Sequence, residues 1–141
     1  MENKEELKLN HLDHVAIRVK NIDISSQWYS NVLGLKKVQT DKWGAYPIFM
    51  LAGKTGVAIF PHLNTYKPNN KSPYKHIDHF AFNVDNENFK KAKHKLDVLG
   101  IVYDFQDHFY FHSIYIKDPD DHTVELTTRI GNTGDFYNLS E

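Results

Sequence analysis

The sequence predicts an α+β fold: two tandem βαβββ modules forming a curved, mostly antiparallel sheet around a central site. Three observations carry this reading. The chain repeats itself. Each copy opens with an alternating strand, continues as a helix closed by glycine, and adds two or three further strands. Polar residues at matching places in the two copies fall on the same strand face.

The repeat is read from four matches in the same order. "LDHVAIRV" (Leu12 to Val19) is echoed by "IDHFAFNV" (Ile77 to Val84), 65 residues on. "VLGL" (Val32 to Leu35) is echoed by "VLGI" (Val98 to Ile101), "IFML" (Ile48 to Leu51) by "IYIK" (Ile114 to Lys117), and "VAIF" (Val57 to Phe60) by "VELT" (Val124 to Thr127). The offset drifts only from 65 to 67, so the matches describe one duplicated unit. The modules are expected over residues 11–61 and 76–129 of a single domain spanning 1–141.

Each element has a local reason. Alternating Val, Ile and Phe predict the opening strands. Helices are expected over about residues 23–33 and 86–99, with Gly34 and Gly100 where a C-cap needs a left-handed backbone. "AGKTG" and "KDPDDH" separate the strands that follow. Residues 62–76 carry the Pro, Asn, Lys and Ser of an exposed linker. The tail after Arg129 lacks a period and is expected to be irregular, docking through Phe136 and Tyr137.

Composition narrows the function. With 17 basic and 18 acidic residues the net charge is -1, so there is no cationic surplus to neutralise phosphates, and nucleic acid is not an expected partner. The absence of cysteine removes disulfides, thiolate ligands and cysteine nucleophiles, and fits a cytoplasmic protein. "MENKEELKLN" has no apolar signal-peptide core, and no apolar run nears the ~20 residues of a membrane span. Exposed sheet edges predict a homodimer.

Side chains alternate across a strand. Val15, Ile17 and Val19 share one face and His14, Ala16 and Arg18 the other. Phe80, Phe82 and Val84 likewise oppose His79, Ala81 and Asn83. Val124 and Leu126 belong with the apolar faces, which puts Glu125 on the side of the two histidines. A pseudo-two-fold relation between copies brings His14 and His79 together, within a chain or between chains if the modules are swapped. Two imidazoles and one carboxylate are a ligand set for Zn, Fe, Mn or Ni. Ala16 and Ala81 leave room for a small-molecule substrate. The other histidines read as loop or surface residues, with His112 at the mouth of the strand that holds Tyr115.

"LDHVAIRVKNIDISSQWYSNVLGLKKV", "HIDHFAFNV" and "IYIKDPDDHTVEL" together resemble the vicinal oxygen chelate superfamily over roughly residues 12–128. That superfamily includes glyoxalase I, methylmalonyl-CoA epimerase, fosfomycin-resistance enzymes, extradiol dioxygenases and bleomycin-binding proteins. The resemblance implies paired βαβββ modules around a divalent metal held by His14, His79 and Glu125. It implies electrophilic chemistry on a substrate that presents two adjacent oxygens. Tyr115, ten residues before Glu125, is then a catalytic hydrogen-bond donor or acid.

Three departures refine the expectation. Ala58 stands where glyoxalase I and the epimerases carry a fourth ligand, which argues against proton-shuffling chemistry and leaves a dioxygenase or an addition or transfer reaction on an oxygenated electrophile. Phe109, Tyr110, Phe111 and His112 stand where the fosfomycin-resistance branch has basic and polar residues, pointing to a more apolar, aromatic substrate. Asp121 replaces the turn glycine, which an Asp tolerates. The competing reading is a metal-free drug- or metabolite-binding protein of the bleomycin-resistance type.

Overall fold

The structure is a computed structural model and describes residues 7–63 and 77–131. The expected docking of Phe136 and Tyr137 lies outside the described residues, as does most of the linker. The first module runs β1 (His14–Val19), α1 (Ile22–Leu33), β2 (Lys36–Val38), a short 3-10 turn (Asp41–Trp43), β3 (Ile48–Ala52) and β4 (Thr55–Pro61). The second runs β5 (Phe80–Asn83), α2 (Asn86–Leu99), β6 (Asp104–Asp107), β7 (Phe111–Lys117) and β8 (Thr123–Arg129).

The two modules have the same topology. The sheets order their strands β1-β4-β3-β2 and β5-β8-β7-β6, each with one parallel and two antiparallel pairings. Registers agree as well: Ala16 lies beside Ala58, and Ala81 beside Glu125. The equivalence of Ala58 and Glu125, read from the repeat, is therefore a fact of the fold.

Local chemistry sets the helix limits. The Asn21 side chain accepts from the backbone N–H groups of Asp23 and Ile24, and Asp85 from that of Asn88, satisfying orphan donors of the first turn. Both helices end at glycine with φ near +70°. β5 is shorter than expected. It starts at Phe80, so His79 stands one residue before the ladder. Among the described residues β5 is an edge strand with β8 as its one sheet neighbour, and that pairing begins at Phe80.

The sheets are two separate ladders, and the helix sides join them. One apolar core takes Ile17, Val19, Tyr29 and Met50 from the first module and Phe89, Leu96, Ile114 and Val124 from the second. The opposite face of β1, with His14, Ala16 and Arg18, is exposed. Among the described residues no helix is long and apolar enough to cross a membrane.

A polar clasp reinforces the joint. Asp118, at the β7–β8 turn, has a buried carboxylate that accepts from Tyr29 Oη at 2.7 Å and His122 Nδ1 at 2.8 Å. It also accepts from the backbone N–H groups of Asp120 and His122. Asp120 in turn accepts from the Lys20 N–H and the Ser25 hydroxyl. Asp121 takes the left-handed conformation, φ 66°, as its replacement of glycine requires.

Burial, and then the neighbouring Asp118, push the Tyr29 hydroxyl well above the usual tyrosine range. A raised pKa contributes stability fully present below the unfolded value of ~10 and lost as pH rises through the folded one. Tyr29→Phe should cost about 1.5–3 kcal/mol at neutral pH, the worth of a hydrogen bond to a charged group. The gap between wild type and variant in urea melts should narrow by about 1.4 kcal/mol between pH 8 and 11.

Candidate metal centre

Glu125 is the residue that needs an explanation. It is 5% exposed, on the sheet face turned away from the helices, between the core residues Val124 and Leu126. Removing a carboxylate from water is costly unless partners surround it. Its partners come from β7 and from the flank of β5. Ser113 of β7 donates to Oε2 at 2.6 Å and also contacts Thr127 Oγ1 at 3.2 Å. His79 brings Nε2 to 3.0 Å from Oε1. Tyr115 lies directly opposite in the β7–β8 register, its ring edge-on to His79 at 5.7 Å.

The histidine geometry is specific. His79 donates Nδ1–H to Asp78 at 2.6 Å, and His14 donates Nδ1–H to Asp13 at 2.7 Å. A carboxylate on Nδ1 orients an imidazole and leaves Nε2 as the bare donor atom of a ligand. Nε2 of His79 and Oε1 of Glu125 are then two acceptors facing each other, which requires a proton or a cation between them. Two donors at ~2.1 Å from one ion and at right angles are about 3.0 Å apart, so the pair fits a divalent metal.

His14 is not part of this group within the chain. It lies in the other sheet, half-exposed, with its ring against Phe49 at 5.1 Å, and Phe49 in turn meets Trp43. Among the described residues no three His, Asp or Glu side chains gather as a metal set. The exposed Ala16 and Ala81 leave the strand floors beside both histidines open.

Burial, followed by the charge of Glu125, raises the pKa of Tyr115 above the usual tyrosine range, so the hydroxyl stays a donor at neutral pH. The residues that sequence reasoning passed over are Asp13, Asp78, Ser113 and His108. The two aspartates carried a signal, because each precedes its histidine at the same place in the repeat. Ser113 was readable as two residues before Tyr115 on one strand face. His108 had no signal.

A sequence model described as the Glyoxalase/Bleomycin resistance protein/Dioxygenase superfamily matches residues 11–126. The chain is 29% identical over 119 residues to the glutathione transferase FosA of Serratia marcescens, covering 84% of this chain and 80% of the relative. It is 27% identical over 128 residues to the metallothiol transferase FosB of Staphylococcus epidermidis, covering 86% and 84%. A crystal structure of a glyoxalase/dioxygenase from Nostoc punctiforme superposes with a TM-score of 0.70 at 20% identity, over 92% of this chain and all of the other. With its paired modules and its matched sequence, the chain belongs to the glyoxalase/bleomycin resistance/dioxygenase superfamily, that of the vicinal oxygen chelate fold.

Proposed function

We propose that the protein is a divalent-metal-dependent transferase that adds a nucleophile, a thiol or water, to an oxygenated small-molecule electrophile. The observation that carries the metal is the pair of converging acceptors, His79 Nε2 and Glu125 Oε1, with Asp78 behind the imidazole. Similarity to the glutathione transferase FosA and the metallothiol transferase FosB supports addition over oxygenation. Ala58 at the place equivalent to Glu125 supplies no carboxylate base, which speaks against proton abstraction from carbon.

The third ligand in this reading is His14 of a second copy. The helix sides of both modules are spent on the shared core, so the His14 face is left bare. A homodimer in which one chain's first module faces its partner's second module brings His14 to His79 and Glu125. A zinc, manganese, iron or nickel ion there would draw electron density from the substrate oxygens. Tyr115 would donate its hydroxyl hydrogen to one of those oxygens. Ala16 and Ala81 would give the substrate space, and Phe49 and Trp43 an aromatic wall.

The test is complementation. His14→Ala and Glu125→Ala should each cut metal content to less than roughly a tenth, because two remaining ligands do not hold a divalent ion tightly. A refolded mixture of the two variants should regain metal, since a hybrid dimer keeps one complete site. Arg18→Ala is the control: its guanidinium lies 4.9 Å over Phe60, away from the ligands, and metal content should not change. Full metal in either ligand variant, or a mixture that regains none, overturns the shared site.

A further inference from the structure

The β6–β7 hairpin tip holds a histidine that the metal centre does not use. The His108 N–H donates to the Phe111 carbonyl, and the Tyr110 N–H donates back to the His108 carbonyl. Phe109 N–H donates to Asp107 Oδ1, and Phe109 adopts φ 72°. Left-handed backbone costs a bulky L-residue roughly 1–2 kcal/mol. The Phe109 side chain is 79% exposed and meets the neighbouring Tyr110 ring edge-on at 4.9 Å, so burial offsets little of that cost. Such strain is retained where it fixes something else. What this turn fixes is His108, whose imidazole lies inward against the Phe111 ring, with Nε2 2.9 Å from the Tyr115 hydroxyl.

We infer that His108 is the positioning residue of Tyr115: its Nε2–H donates to the phenol oxygen and so directs the hydroxyl hydrogen toward the space between His79 and Glu125. The direction follows from the partners. A phenol has one hydrogen to give. Glu125, opposite Tyr115 in the register, is a carboxylate and can only accept. If the hydroxyl hydrogen points to the Glu125 side, the phenol oxygen faces His108 with a lone pair, and His108 must be the donor. Two hydrogen bonds in line also polarise each other, strengthening Tyr115 as a donor. The substrate end of this chain rests on the metal-centre reading, whereas the His108–Tyr115 bond stands on the hairpin alone.

Two measurements test it. In metal-free protein at about pH 8, side-chain nitrogen–proton NMR should find His108 in the Nε2–H tautomer, and Tyr115→Phe should move its Nε2 resonance. The Nδ1–H tautomer, or a resonance indifferent to Tyr115→Phe, overturns the inference whether or not a metal binds. The second uses cobalt(II)-loaded protein and 4-nitrocatechol, a coloured probe with two adjacent oxygens. His108→Ala should weaken the probe by up to about tenfold, the upper worth of one hydrogen bond between neutral groups, with cobalt affinity unchanged. His108→Gln, whose amide can still donate, should restore most of the loss. In a Tyr115→Phe background His108→Ala should have no further effect, because the two residues act as one unit. An equal loss in both backgrounds sinks the positioning role. Failure of the wild type to bind cobalt sinks the metal-centre reading instead and leaves the tautomer measurement to decide.

Discussion

Asp118→Ala should lower the free energy of unfolding by about 4 kcal/mol, near the upper end for single substitutions. The carboxylate is buried and serves four donors: the Tyr29 hydroxyl, the His122 ring and two backbone N–H groups. Alanine removes every acceptor at once and leaves the donors without partners in an apolar surround, at ~1–3 kcal/mol each before water enters. Asp118→Asn should be nearly as damaging. Its shape is right, but one of its two terminal atoms becomes a donor facing donors. Because Tyr29 lies on α1 and Asp118 on the β7–β8 turn, the loss should also loosen the two modules from each other. Urea denaturation reads the first effect, and a lowered m-value or a second transition reads the second. A variant within 1 kcal/mol of wild type would show that the clasp is ornamental.

Gly56→Ala should be comparably severe, for a steric reason. Gly56 lies between Leu51 of β3 and His14 of β1 in the sheet. A Cβ built there would stand 2.1 Å from the Met50 carbonyl oxygen and 3.0 Å from the Leu51 Cα. Both neighbours are backbone, so no side-chain rotation relieves the clash. Either β3 or β4 must move, and overpacking of this kind costs about 3 kcal/mol or more. The same shift displaces the strand beside His14, so variant protein that still folds should also hold less metal. A Gly56→Ala protein with unchanged melting and unchanged metal content would mean that the hairpin is far more compliant than its close contacts allow.

Much of the fold was legible because the relevant forces are local and repeated. Asn21, Gly34, Asp85 and Gly100 mark helix ends through their own backbone and side-chain chemistry. The period-2 pattern of Val15, Ile17 and Val19 names the buried face of β1 directly. The repeat then doubled each inference, and the register of Ala81 with Glu125 matches that of Ala16 with Ala58. His14, His79 and Glu125 were readable as candidates because they break an otherwise apolar pattern at equivalent or facing positions, and Tyr115 followed from the family resemblance.

What the sequence by itself determined is the two-module βαβββ architecture, the polar face of each sheet and the residues available there for chemistry. Tertiary structure decided how the faces meet. The modules join through their helix sides, so His79 and Glu125 converge while His14 is left on a bare face of the other sheet. It also decided that Phe109 turns left-handed and swings His108 onto Tyr115. Neither outcome has a local code. Which apolar surface covers which depends on the summed burial of both modules, and a strained turn persists only where the surrounding contacts outweigh its cost.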